Sequence, residues 1–114
     1  MQVQSIIPFI PTDKILLVGE GDFSFARALL AHPVLHGKLP PENVTATALD
    51  SEDECYAKYA GARAIVHELR DMGVEVLFGV DATILERYKS LKKRKWDRIV
   101  WNFPHVGMFA YLCP

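Results

Sequence analysis

The sequence predicts an α/β fold, a Rossmann-like parallel sheet of about four strands with helices on both faces. Three observations predict it. Short strand-like runs alternate four times with segments of helical character, the order that builds a parallel sheet through right-handed crossovers. The first run, Ile15-Leu16-Leu17-Val18, is apolar throughout and closes on glycine, as a strand buried on both faces does. Glu20 and Asp22, then Asp50, Asp81 and Asn102, each fall just past the carboxyl end of an expected strand.

Residues 1–13 form an irregular lead-in, because Pro8 and Pro11 restrict the backbone before them. After the first strand and its Gly19-Glu20-Gly21-Asp22 turn, good helix formers run from Phe23 to Ala31 and stop before Pro33. The proline-rich stretch 32–43 is a loop. Thr45 to Leu49 is the second strand. Ser51 with Glu54 is a capping-box pattern, and it opens one long helix in which Cys55, Tyr59, Ala62, Val66 and Leu69 recur at helical spacing. Met72-Gly73 ends that helix. Val74 to Val80 is the third strand, Ala82 to about Lys93 a further helix, and Asp97 to Trp101 the fourth strand, running into Asn102-Phe103-Pro104-His105.

The chain has 114 residues, room for one domain. Half of them are apolar and the formal net charge is −1, so the whole-molecule field does not draw it to nucleic acid or an anionic membrane. An RNA contact would need a local patch. No apolar run is long enough to span a bilayer. Cys55 and Cys113 match no metal-ligand spacing and read as free thiols in a reducing, intracellular compartment. His32 and His36 flank Pro33 with no accompanying acid or thiol, and read as loop residues.

The polar rim discriminates among ligands. Gly19 and Gly21 between a strand and a helix bring backbone close to a nucleotide-like ligand, although such turns also hold glycine for structural reasons. A dinucleotide fingerprint would place a third glycine where Ser24 stands, and no Gly-Lys-Ser/Thr ending makes a P-loop. Glu20 and Asp22 would repel a pyrophosphate at a helix N-terminus, but would attract the ammonium and sulfonium of S-adenosylmethionine. Asp50 stands where such folds place an acid on ribose hydroxyls, and Asp81 can accept from an adenine amino group. Both acids also precede expected helices and serve equally as N-caps.

Asn102-Phe103-Pro104-His105 has the character of the turns with which amino- and ring-nitrogen methyltransferases hold a planar base. Asn102 offers a donor and an acceptor and Phe103 a stacking face. His105 is a candidate proton donor or acceptor to a ring oxygen, or a surface histidine after a proline stop. The basic stretch Lys89, Lys92, Lys93, Arg94, Lys95 reads either as RNA-phosphate contacts or as a solvated helix C-terminus complementing the macrodipole.

Four segments together resemble the eukaryotic large-subunit ribosomal RNA uridine-N3 methyltransferase family: Val18-Gly19-Glu20-Gly21-Asp22-Phe23-Ser24-Phe25, Ala48-Leu49-Asp50-Ser51, Gly79-Val80-Asp81-Ala82-Thr83, and Asp97 to Gly107. The resemblance runs from about Lys14 to Gly107. It implies the N-terminal half of a class I methyltransferase fold, methyl transfer from S-adenosylmethionine to N3 of a ribosomal RNA uridine, and a nucleolar or nuclear location. By position, Gly19, Glu20, Gly21, Asp22 and Phe23 would hold the methionine part of the cofactor. Asp50 with Ser51 would hold the ribose and Asp81 with Ala82 the adenine. Asn102, Phe103, Pro104 and His105 would line the base pocket.

Family members continue beyond the Pro-His-Val-Gly turn, whereas residues 108–114 read as a divergent tail. The fourth strand would then be an uncovered apolar edge, open to self-association or to a partner. Two rival readings stand beside the RNA methyltransferase: an inactive truncated fragment serving only as a binding module, and a nicotinamide-dependent oxidoreductase domain, which Ser24 and the acidic loop disfavour.

Overall fold

A computed structural model describes residues 12–32, 39–103 and 108–112, with side chains through Trp101. Five strands form one sheet in the order β3-β2-β1-β4-β5. They are β1 (Ile15–Val18), β2 (Val44–Thr47), β3 (Glu75–Leu77), β4 (Arg98–Phe103) and β5 (Met108–Leu112). The first four are parallel, with Leu16 opposite both Thr45 and Ile99, and Val18 opposite Trp101.

The central strand β1 is wholly buried, as its unbroken apolar run requires. β2 is buried too, although it contains two threonines. The Thr47 hydroxyl donates to the Leu17 carbonyl (2.9 Å) and the Thr45 hydroxyl to the Glu75 carboxylate (2.8 Å), so neither is left unsatisfied.

Moving outward from β1 to β2 to β3, the chain crosses over one face of the sheet through α1 (Ser24–Ala31), α2 (Glu52–Lys58) and α3 (Ala62–Met72). Leu29, Ala62, Val66 and Leu69 from these helices pack with Ile15, Leu17 and Val100 in the larger core. Between β3 and β4 the chain returns past β1 on the other face. There Leu16 and Val18 meet Leu91, Leu85, Tyr88 and Trp101 in a smaller core. The strand order reverses between β1 and β4, and the crevice beyond the carboxyl ends of those two strands is where such sheets bind ligands.

Three expectations are corrected. The single long helix after Ser51 is two, α2 and α3, broken at Tyr59-Ala60-Gly61, where an interior glycine disfavours helix. The helix expected over Ala82 to Lys93 is a 3-10 segment, Ala82–Arg87, followed by turns. Ile84 inside the segment is non-helical (φ −136°, ψ 42°). The side chains turned to the smaller core, Ala82 and Leu85 within the segment and Tyr88 and Leu91 after it, recur every third position rather than at the α-helical period. Finally, β4 is not an open edge. Residues Met108–Leu112 return antiparallel along it, pairing Ile99 with Leu112 through to Phe103 with Met108. The expectation of self-association through an uncovered fourth strand loses its basis.

Candidate functional site

Because the four strands are parallel, their polar endings gather on one rim, and the glycine turn after β1 is its centre. Gly19 adopts φ +71°, and a Cβ there would collide with the Trp101 indole, whose Cδ1 would lie 2.7 Å away. Only glycine fits, because L-residues resist this backbone conformation and the tryptophan fills the space beside it. Gly21 is crowded from the other side, where its Cβ would stand 3.3 Å from the Tyr59 hydroxyl. The Gly21 carbonyl accepts from the Cys55 thiol at 3.3 Å, which ties the turn to α2. Phe23 also takes a left-handed conformation (φ 68°), and its ring is buried edge-to-face against Phe78. It supports the turn from beneath.

The two acids of the turn are already engaged. Glu20 is 4% exposed, and its Oε1 accepts the Ala26 N–H at 3.1 Å. The Ser24 N–H donates to Asp22 Oδ1 at 3.0 Å. Those are the first and third amides of α1, which otherwise lack intrahelical partners. The N-terminus of α1 is thus filled by the chain's own carboxylates. Among the described residues, the Gly21 and Asp22 N–H groups have no hydrogen-bond partner.

Asp50 follows β2 on the neighbouring strand. Its backbone carbonyl accepts from Gly79, which pins the turn after β2 to the one after β3. Its carboxylate is 23% exposed and takes Lys58 Nζ on both oxygens at 3.2 Å. This hydrogen bond raises the lysine above its ordinary pKa. Asp50 therefore caps nothing. That role falls to Ser51, whose hydroxyl accepts from the Glu54 N–H while Glu54 accepts from the Ser51 N–H.

Asp81 is an N-cap. It accepts from the Thr83 hydroxyl (2.6 Å) and the Thr83 N–H (2.9 Å), which hold its carboxyl below the usual range. Its own N–H donates to the Tyr88 hydroxyl at 2.8 Å, and Ala82 packs on the smaller core. Burial, then the nearby Asp50 and Asp22, push the Cys55 thiol up. It stays protonated, a donor rather than a nucleophile.

Sequence reasoning passes over Cys55 and Tyr59 as ordinary helix-core positions and does not single out Lys58 or Trp101. Nothing local marks them. Trp101 reaches Gly19 only through the parallel register of β4 on β1. Asn102 and Phe103 end β4, while Pro104 and His105 lie outside the described residues.

A family model described as rRNA (uridine-N3-)-methyltransferase BTM5-like matches residues 16–111. The chain belongs to this family. The match takes in the whole rim and the sheet except for Ile15 and Leu112. The chain is 45% identical over 94 residues to heavy metal-associated isoprenylated plant protein 41 of Arabidopsis thaliana, covering 82% of this chain and 17% of that one. It is 40% identical over 97 residues to the mouse ferredoxin-fold anticodon-binding domain-containing protein 1 homolog, covering 85% and 15%. The Saccharomyces cerevisiae 25S rRNA (uridine(2634)-N(3))-methyltransferase is 28% identical over 122 residues, covering 90% and 35%. The chain thus spans less than half the length of each of these relatives. No solved structure matches it.

Among the described residues, no group of three or more metal-ligating side chains is gathered, and no helix is long and apolar enough to cross a membrane.

Proposed function

We propose that this domain binds S-adenosylmethionine on the β1–β2 rim and serves methyl transfer to N3 of a uridine in large-subunit ribosomal RNA. One observation carries the choice of ligand. The Glu20 and Asp22 carboxylates occupy the first and third amides of α1, the position where a dinucleotide fold seats a pyrophosphate. A phosphate there would displace or face two carboxylates. A cationic ligand without phosphate meets no such conflict, and S-adenosylmethionine is one. The nicotinamide alternative fails on the same ground.

The residues present fit the group. The Gly21 and Asp22 amides lack partners among the described residues, and Asp50 offers a partly exposed carboxylate to a diol. Gly19, Gly21 and Asp22 would hold the amino-acid part, Asp50 with Ser51 the ribose, and Asp81 with Ala82 the adenine edge. Glu20 and Phe23 would act from beneath, by shaping the turn. When bound, the cofactor supplies a methyl group on a sulfonium. Asn102, Phe103, Pro104 and His105, at and beyond the end of β4, would orient the uracil and stabilise charge on its ring oxygens as N3 gives up its proton. Orientation and charge stabilisation, rather than covalent chemistry, would supply the rate. An rRNA substrate would place the protein in the nucleolus or nucleus.

Calorimetric titration with S-adenosylhomocysteine, with NADH as control, tests the reading. Binding of the first alone is expected, and Asp50→Ala should weaken it at least about tenfold, the loss of one or two hydrogen bonds to a charged group. Affinity unchanged in that variant would remove Asp50 from the site, and no binding to a folded sample would remove the cofactor.

A further inference from the structure

The basic stretch after the 3-10 segment has no part in the rim chemistry, and the structure removes its ordinary explanation. No α-helix ends there, so the lysines complement no helix dipole: the 3-10 segment closes at Arg87, and turns carry the chain onward. Arg94 to Asp97 lie at the amino ends of the strands, since Arg94 bonds Glu75 at the start of β3 and the Asp97 N–H reaches the Lys14 carbonyl before β1. That part of the stretch lies at the end of the sheet away from the acidic rim, while Tyr88, between Arg87 and Lys89, reaches the rim through the Asp81 N–H.

Two residues hold the stretch in place. Leu91 is buried in the smaller core. Arg94 is fixed by Glu75 (2.8 Å), by the Thr45 hydroxyl (3.3 Å) and by stacking 4.4 Å over Trp96. Around these two fixed points, Lys89, Lys92, Lys93 and Lys95 are exposed.

Their lack of partners is not general. Among the described residues, Arg27, Lys58, Arg70, Arg94 and Arg98 are ion-paired, Arg63 lies over the Tyr56 ring, and Lys14 bonds Asn43. The other described lysines and arginines are Arg87, Lys89, Lys92, Lys93 and Lys95, and none of them has an ion-pair or ring partner among the described residues. Glu86 and Asp97 are the acids adjoining the stretch in sequence, and neither forms an ion pair with it. Among the described residues, the lysines and arginines without an ion-pair or ring partner therefore fall together between Arg87 and Lys95, in a chain of net charge −1.

We propose that Arg87, Lys89, Lys92, Lys93 and Lys95 form an RNA-backbone anchor that leads from beside the cofactor rim toward the amino ends of the strands. It deepens the reading above, resting on RNA as the substrate. The acidic rim repels phosphate, so an RNA that presents a uridine there needs its affinity supplied elsewhere. A fixed loop of lysines supplies it without sequence preference.

The test measures binding of a labelled oligouridylate across a salt series, with S-adenosylhomocysteine titrated in parallel. In the variant K89Q/K92Q/K93Q/K95Q, RNA affinity should fall at least about tenfold at low salt. The slope of log K against log salt should shrink by about 2–3, about 0.7 for each single-strand phosphate no longer neutralised. The double variant K89Q/K95Q should fall between it and the parent, and both should melt as the parent does and bind S-adenosylhomocysteine equally. An unchanged slope in the quadruple variant, an oligouridylate the parent does not bind, or equally tight binding of polyglutamate would each overturn the anchor. Loss of salt-dependent RNA binding in a chain that binds no S-adenosylhomocysteine would uphold the anchor while refuting the methyltransferase reading.

Discussion

The two faces of the sheet solve the same packing problem with different parts. On one, α1 and α3 cover β1 and β2 with a continuous layer that includes Leu29, Val66 and Leu69, all fully buried. On the other, among the described residues, the turns after the 3-10 segment bury Leu91 alone, beside Val80 from the turn that follows β3, against Leu16 and Val18. The helical face holds the glycine turn rigid from below, through Phe23 and Cys55. The turn-built face carries the exposed basic loop. A rigid side thus supports the rim proposed for the cofactor, and a side with little core of its own presents the basic loop proposed for RNA.

The sharpest way to break this comparison is to open an equal cavity on each face. Leu69→Ala should cost about 3–5 kcal/mol, since helices packed on both sides of the gap cannot collapse into it. Leu91→Ala should cost nearer about 2 kcal/mol, at the low end for such deletions, because loosely built turns can relax. Urea melts with unchanged m-values measure both. Equal losses would mean that the turn-built face is as tightly packed as the helical one.

Gly19→Ala comes next, because it strikes where the two faces meet at the rim. The left-handed backbone costs an alanine about 1–2 kcal/mol, and the displaced Trp101 adds overpacking of about 1–3 kcal/mol. Trp101 belongs to the smaller core, so the damage should spread to that face, read as a changed tryptophan emission spectrum together with the lower melt midpoint. A variant that loses stability with its emission unaltered would show that the indole does not buttress the turn.

How much of this is legible in the sequence follows the same division. The helical face is readable at its ends, which obey local rules: an apolar run closing on glycine, a Ser51/Glu54 capping box, and a Met72-Gly73 stop whose glycine takes φ 107°. The break between α2 and α3 is hidden by apolar spacing that continues across it. Nor is the 3-10 segment readable, since good helix formers between Ala82 and Lys93 hide an apolar spacing of three. The return of Met108–Leu112 along β4 is equally hidden, being a long-range pairing that no local pattern announces. At the site, the sequence names the acids but not what each one does. Glu20 and Asp50 both follow strands closely, yet Glu20 is folded under α1 and Asp50 stays on the surface with Lys58. Burial, which depends on the neighbouring strand and helix, separates them.

The smallest effect distinguishes capping from ligand binding among the rim residues. Ser51→Ala removes the hydroxyl that accepts the Glu54 N–H and should cost about 1 kcal/mol, as loss of a serine N-cap does. The reciprocal bond, from the Ser51 N–H to the Glu54 carboxylate, survives in that variant but is weakened when the carboxylate is protonated. The Ser51 N–H, and after it the hydroxyl, hold Glu54 below its ordinary value of 4.5. A depressed acid contributes stability above its unfolded pKa and loses it as the pH falls through the folded value. The acid limb of the stability profile below about pH 4.5 should therefore be shallower in Glu54→Gln than in the parent. If Ser51 also touches the ribose, Ser51→Ala will weaken S-adenosylhomocysteine while Glu54→Gln will not. If both leave ligand affinity alone, Ser51 is a cap only, and the ribose contact rests on Asp50.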